Sequence, residues 1–174
     1  MQTQKMSNEA GKRQLLAVWW TMTDGTRQLV DAFAEGAAQE ASVVLHRRRA
    51  DQARADDLLA ADAVLFATPE NLGTMAGMMK DFFDRCYYAA LGRIEGRPYA
   101  TIVCAGSDGE GSARQIARIA TGWRLKAVTE PLIVITHAQT PEAILARKRI
   151  DAASLARAQE LGTMLAAGVA MGVW

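Results

Sequence analysis

The chain has 174 residues, half of them hydrophobic, and its charges nearly cancel, with 20 Lys and Arg against 19 Asp and Glu. This length predicts one domain with a buried core. The charge balance gives no indication of a broad basic surface for nucleic acid or for an anionic membrane. The two cysteines, Cys86 and Cys104, have neither the spacing of a metal site nor the number needed for a disulfide framework.

Residues 1–13 are polar and charged, and we expect them to form a disordered tail ahead of a single domain at residues 14–174. The tail lacks the apolar stretch that a secretory signal needs. No apolar run in the sequence reaches the length of a membrane span. We therefore expect a cytoplasmic protein without a membrane partner.

Five short apolar runs are predicted to be β-strands. They are rich in Val, Ile and aromatic residues, and most lack the in/out alternation of a half-exposed strand. This is typical of parallel strands that are covered on both faces. The runs are LLAVWW from Leu15, SVVL from Ser42, AVLFA from Ala63, YATIVCA from Tyr99 and LIVIT from Leu132.

Amphipathic helices are predicted between these runs, because apolar residues recur every three or four positions. The clearest pattern runs from Met75 to Cys86, and a weaker one covers residues 54–60. Thr140 and Pro141 mark the start of the last helix, which we expect to break near Arg149 and then resume. Strands alternating with helices predict a doubly wound parallel sheet with helices on both faces. Five strands favour the order 2-1-3-4-5 over the six-stranded dinucleotide-binding order.

In such a sheet a ligand binds beyond the carboxyl ends of the strands, where the winding reverses. The loop after the first strand holds three threonines and opens into a helix, a combination that suits phosphate, although a simple capped turn has similar features. After the third strand, Pro69 stiffens a polar loop and Gly73 allows close backbone approach. After the fourth, three glycines between Gly106 and Gly111 suit a wrapped ligand, although alone they would better indicate a flexible connector. Together the three loops favour a binding site.

Two stretches resemble a known family. T-M-T-D-G-T-R-Q-L-V, from Thr21, resembles the S/T-x-T-G-x-T phosphate loop of flavodoxins and related NAD(P)H-dependent reductases. A-T-P-E-N-L-G-T-M-A-G-M-M-K-D-F-F-D-R, from Ala67, is similar to a segment of NADPH-dependent FMN reductases and of quinone reductases of the tryptophan-repressor-binding-protein type, T-P-x-x-x-G-x-M-x-G-x-x-K-x-F-x-D. The resemblance covers residues 15–136, and the third loop matches only loosely.

The resemblance implies a flavodoxin-like fold, non-covalent FMN, and hydride transfer from NAD(P)H to quinones or similar small acceptors, with no catalytic side chain and no metal. A tetramer-forming insertion of the quinone reductases is absent, which favours a homodimer. By position, Thr21, Thr23, Asp24, Gly25 and Thr26 would lie at the FMN phosphate, Pro69, Glu70, Asn71, Leu72 and Gly73 at the isoalloxazine ring, and Gly106, Ser107, Asp108, Gly109 and Gly111 at its other edge.

Asp24 departs from the family, which usually has Gly at this position. A carboxylate beside a phosphate should repel it unless the side chain points away or caps the helix. Asp24→Gly is therefore expected to tighten FMN binding. The run Arg47–Arg49 after the second strand is interpreted as a solvated basic turn in preference to a site for the 2′-phosphate of NADPH.

Two other functions stay open at this point. One is a flavodoxin-type one-electron carrier, against which the near-neutral charge argues. The other is an FMN-binding or regulatory protein without turnover.

Overall fold

The structure is a computed structural model that describes residues 11–174. Most of the expected polar tail, residues 1–10, lies outside the described residues, and Arg13 begins the first strand. The strands are β1 (Arg13–Trp19), β2 (Val43–Arg49), β3 (Ala63–Asn71), β4 (Thr74–Met75), β5 (Pro98–Ala105), β6 (Lys126–Ala127) and β7 (Leu132–Ile135). The helices are α1 (Gly25–Ala37), α2 (Ala55–Ala60), α3 (Gly77–Ala90), α4 (Glu110–Gly122), α5 (Pro141–Leu145) and α6 (Ala152–Met171).

The sheet confirms the predicted flavodoxin-like order. Parallel pairing places the strands as β2-β1-β3-β5, and both β6 and β7 pair with the outer edge of β5. The fifth strand position is therefore divided. Lys126 opposes Pro98 at the start of β5, whereas Leu132 opposes Ile102 near its end. Pro131, which has no N–H to donate to a ladder, immediately precedes the second piece.

The core lies in two layers, one on each face of the sheet. Leu15 and Ala17 of β1 belong to the layer with α1 and α6, whereas Leu16 and Val18 belong to the layer with α2, α3 and α4. Successive strand residues point to opposite faces, so both sets are buried only when both faces are covered. This explains why the apolar runs show no alternation.

Helices α1 and α6 approach each other closely enough to require glycine. A Cβ on Gly36 would lie 1.9 Å from the carbonyl oxygen of Gln159, and one on Gly162 would lie 2.0 Å from that of Phe33. Both distances are far inside van der Waals contact. These contacts hold the C-terminal end of α1 against α6, and the candidate site lies at the opposite end of α1.

The basic run lies in a strand, so its interpretation as a turn was wrong. Strand β2 continues to Arg49 because its backbone pairs with β1 along its whole length. Each arginine has a carboxylate partner, which accounts for its charge without an external anion; the pairs are Arg47–Asp31 at 2.7 Å, Arg48–Asp57 at 3.2 Å and Arg49–Asp51 at 3.1 Å. The Arg49 guanidinium also lies 4.5 Å from the ring centroid of Trp20.

Between residues 11 and 174, no helix is both long enough and apolar enough to cross a membrane. In the same range, no three His, Cys, Asp or Glu side chains are grouped closely enough to hold a metal ion.

Candidate functional site

A cavity of about 600 Å³ opens at the carboxyl ends of β1, β3, β5 and β7, and we call it the sheet-end cavity. Its size falls in the range of small-molecule sites, about 300–1,000 Å³. Its position is the one that the fold reserves for ligands. The lining residues are Thr21, Met22, Thr23, Gly25, Thr26, Pro69, Glu70, Asn71, Leu72, Gly73, Cys104, Ala105, Gly106, Ser107, Thr136, Ala138, Ile144, Leu145 and Lys148.

One end of the cavity is the start of α1. The first hydrogen bond of this helix runs from the N–H of Gln28 to the carbonyl of Asp24 at 3.2 Å. The preceding N–H groups of the helix therefore have no intrahelical acceptor. Thr26 is 1% exposed, and its Oγ1 has no hydrogen-bond partner among residues 11–174. Backbone donors and a buried hydroxyl at the positive end of a helix form a suitable site for a phosphate group.

Gly25 is needed for close packing at this end. A Cβ there would lie 2.6 Å from Sγ of Cys104. The left-handed turn residue is instead Asp24, with φ at 73°, a conformation that Asp tolerates better than most residues. The left-handed residue of this turn is thus Asp24, one position before Gly25.

Asp24 is held by two arginines and does not line the cavity. Its carboxylate accepts hydrogen bonds from Arg27 at 2.8 Å and from Arg147 at 2.6 Å. Its side chain does not cap α1. The hydrogen bonds from Arg27, and then those from Arg147, hold the pKa of Asp24 at about 2, below its usual 3.8. Since two guanidinium groups neutralise one carboxylate, the charge around the start of α1 is not negative, and the reason to expect repulsion of a phosphate is removed.

The predicted loop after the third strand is a β-hairpin. Strand β3 runs to Asn71 and turns back into β4, with Glu70 opposite Met75. The two turn residues, Leu72 and Gly73, both have positive φ, at 53° and 73°. This is the backbone of a type I′ hairpin turn. The hairpin projects beyond the sheet and forms one wall of the cavity.

Glu70 fastens the hairpin to α4. Its carboxylate accepts hydrogen bonds from the N–H of Gly109 at 2.8 Å and from that of Ser112 at 2.9 Å. These two N–H groups at the N-terminus of α4 are therefore satisfied. A Cβ on Gly111 would lie 2.0 Å from the carbonyl oxygen of Gly73. The third loop therefore has two roles. Gly106 lines the cavity, whereas Gly111 allows the hairpin to pack against α4 and the N–H of Gly109 donates to Glu70.

The structure thus brings most of the predicted site residues together around one cavity. The first loop contributes Thr21, Thr23, Gly25 and Thr26, the hairpin contributes Pro69, Glu70, Asn71, Leu72 and Gly73, and the third loop contributes Gly106 and Ser107. The predicted residues outside the lining are Asp24, Asp108, Gly109 and Gly111.

Sequence reasoning missed the wall formed after the fifth predicted strand, which is β7 in the structure. This wall includes Thr136, Ile144 and Leu145. The general rule that a ligand lies beyond the carboxyl ends of the strands applies equally to this strand. Cys104 also lines the cavity, although it was not among the predicted site residues. Burial raises the pKa of its thiol to about 11, so it is neutral at pH 7 and is not an activated nucleophile.

Comparisons with known proteins agree with this fold. A family described as NADPH-dependent FMN reductase matches residues 25–140. A flavodoxin from Aquifex aeolicus is 30% identical over 105 residues, which cover 59% of this chain and 55% of that protein. The chain therefore matches little more than half of that relative's length.

Among solved structures, a flavodoxin from the domain Archaea superposes with a TM-score of 0.72 at 16% identity, covering 90% of this chain and 98% of that one. A flavodoxin, WrbA-like protein from Agrobacterium tumefaciens superposes with a TM-score of 0.68 at 17% identity, covering 91% of this chain and 98% of that one. At these identities the superpositions establish the shared fold alone.

Proposed function

This chain belongs to the family of NADPH-dependent FMN reductases, and we propose that it binds FMN in the sheet-end cavity and transfers hydride from NAD(P)H to quinones or similar small acceptors. The observation that carries the proposal is the buried hydroxyl of Thr26, which has no hydrogen-bond partner among residues 11–174. It lies at the open N-terminus of α1, at one end of a ligand-sized cavity. A ligand with a phosphate ester and an extended aromatic ring suits this cavity, because the phosphate matches the α1 end and the ring matches the other end.

The residues present fit FMN. The backbone N–H groups at the start of α1 and the Thr26 hydroxyl would hold the phosphate, with Thr21 and Thr23 beside them. The hairpin and residues 105–107 would hold the ring system, because they offer backbone polar groups next to apolar side chains. The arginines that bind Asp24 keep negative charge from accumulating near the phosphate.

Bound FMN supplies the capacity to accept and release a hydride or single electrons. The chain would bind the FMN, orient it and shield it from water. No lining side chain in the described part of the protein is a ready acid or base, because Glu70 is engaged with α4, the Cys104 thiol is neutral, and Nζ of Lys148 donates to three backbone carbonyls. We therefore assign no catalytic side chain.

A flavodoxin-type one-electron carrier is the second candidate, because the Aquifex aeolicus relative is named a flavodoxin. Its FMN site would be the same, but NAD(P)H would not reduce it productively. The balance of 20 basic and 19 acidic side chains opposes this alternative, since a strongly charged surface would steer docking to a protein partner.

The decisive experiment is to purify the chain, record its visible spectrum and identify any flavin released by denaturation. We expect about one FMN per chain. Rapid mixing of the FMN-loaded protein with NADPH, and separately with NADH, should bleach the flavin absorbance, and a quinone should restore it. Absence of FMN binding would refute the proposal. Binding without reduction by either nicotinamide would favour the carrier. We also propose that the protein is a cytoplasmic homodimer. Light scattering on the purified protein would test its oligomeric state.

A further inference from the structure

Residues 136–150, which we call the strap, form a wall of the sheet-end cavity in addition to the predicted loops. The strap leaves β7, includes α5 and ends just before α6. Ala138, Ile144, Leu145 and Lys148 of the strap line the cavity. The inference drawn below rests on the FMN binding proposed above.

The first end of the strap is fastened to the third loop. The N–H of Thr136 donates to the carbonyl of Ala105 at 2.8 Å, and its hydroxyl donates to the same oxygen at 3.1 Å. The side-chain amide of Gln139 donates to the carbonyl of Gly106 at 3.2 Å. This end therefore lies beside the loop proposed to contact the ring.

The other end is fastened to the first loop. The N–H of Lys148 donates to the carbonyl of Thr23 at 2.8 Å, and Arg147 binds the carboxylate of Asp24 at 2.6 Å. The side chain of Gln28 donates to the carbonyl of Lys148 at 2.8 Å. The strap thus joins the third loop to the first loop, which are the regions proposed to hold the ring and the phosphate.

Between these fastenings the strap has no core of its own. Helix α5 buries none of its residues, and Ile144 and Leu145 are 52% and 78% exposed although they line the cavity. The helix is held by polar contacts, since Nζ of Lys148 donates to three carbonyls at its end and the Thr140 hydroxyl accepts an N–H at its start. Large exposed apolar side chains on a cavity wall indicate a surface that a ligand covers.

We propose that Ile144 and Leu145 pack against the aromatic ring of FMN and that the Asp24–Arg147 ion pair holds them in place. These two side chains then contact only the ring, so they contribute equally to the affinity for FMN and for riboflavin. Thr26 binds the phosphate and therefore contributes only to the affinity for FMN. Asp24, at the residue where the family usually has Gly, fastens the strap to the phosphate end.

The test is the double variant Ile144→Ser with Leu145→Ser, because both side chains are exposed and their loss should leave the fold intact. Dissociation constants for FMN and riboflavin are measured by quenching of flavin fluorescence. Both should rise about tenfold or more, since binding no longer removes this apolar surface from water. Met171→Ser is the matched control, because Met171 is 71% exposed and does not line the cavity. Its affinities should equal those of the unaltered protein.

Amide hydrogen exchange of residues 141–146 gives a second readout that does not depend on turnover. FMN should slow this exchange in the unaltered protein, and Arg147→Gln should reduce the effect. Unchanged affinities in the double variant, or exchange unaffected by bound FMN, would overturn the inference while leaving the proposed function standing. Failure of the unaltered protein to bind FMN would overturn both.

Discussion

Replacing Thr26 by Val should change stability and FMN affinity in opposite directions. Thr26 is 1% exposed and its hydroxyl has no hydrogen-bond partner in the part of the chain that the structure describes. A buried polar group without a partner costs about 1–3 kcal/mol in proteins. Valine keeps the branched shape and has a similar helix propensity. We therefore expect the ligand-free variant to be more stable by about 1 kcal/mol, with a Tm higher by roughly 2–4 °C.

The same change should weaken FMN binding. A hydrogen bond to a charged group contributes about 1.5–3 kcal/mol, which corresponds to a Kd roughly 10- to 150-fold higher. Riboflavin lacks the phosphate, so its affinity should not change. Urea denaturation of the ligand-free protein gives the stability, and fluorescence titration with each flavin gives the affinities.

Thr163→Val is the matched control. The hydroxyl of Thr163 donates to the carbonyls of Gly36 at 3.3 Å and Gln159 at 3.2 Å, away from the cavity. Its loss should lower the free energy of unfolding by about 0.5–1.5 kcal/mol and leave FMN affinity unchanged. If Thr26→Val instead lowers stability and leaves FMN affinity intact, the hydroxyl has another partner and does not serve the phosphate.

Three further predictions concern the residues that hold the site together. Asp24→Asn should lower the free energy of unfolding at pH 7 by about 1 kcal/mol. This is less than the shift of the Asp24 pKa alone implies, because solvent screens its partly exposed arginine partners. Because folding lowers the Asp24 pKa from 3.8 to about 2, this stability is present above about pH 4 and is lost as the pH falls towards 2, so urea titrations of the two proteins should converge there. Glu70→Gln should lower the free energy of unfolding by about 1–2 kcal/mol, because an amide cannot accept both N–H groups at the start of α4; equal urea midpoints would contradict this. Gly111→Ala should weaken FMN binding by displacing the carbonyl of Gly73. Gly122→Ala on the same helix, where no atom of residues 11–174 lies within 4 Å of the added Cβ, should be neutral or stabilising by about 0.5–1 kcal/mol in thermal melts.

The sheet was predictable because its strands are covered on both faces. Runs such as AVLFA at Ala63 need two apolar layers, and the alternation of strands with helices restricts how the layers are connected. The predicted order therefore agrees with the observed one. The division of the fifth strand was not predictable, because Lys126–Ala127 is too short to show any period.

The hairpin and the strap were missed for different reasons. Leu72-Gly73 is not one of the usual type I′ turn pairs, and a left-handed leucine is rare, so the segment looked like a loop. The link between Asp24 and Arg147 joins residues 123 positions apart. No local pattern reveals such a contact, and only the fold brings the two side chains together.

The orientation proposed for FMN follows from a difference between the N-termini of α1 and α4. Both α1 and α4 begin at the carboxyl edge of the sheet, and each offers free N–H groups at the positive end of a dipole. At α4 those donors are taken by Glu70, whose carboxylate also pins the hairpin in place. At α1 the nearby carboxylate, Asp24, is instead drawn aside by two arginines, and the hydroxyl of Thr26 is left without a partner in residues 11–174. In the proposed binding mode the phosphate therefore occupies the open end of α1, because the end of α4 is already occupied, and the aromatic ring lies towards the hairpin that Glu70 holds.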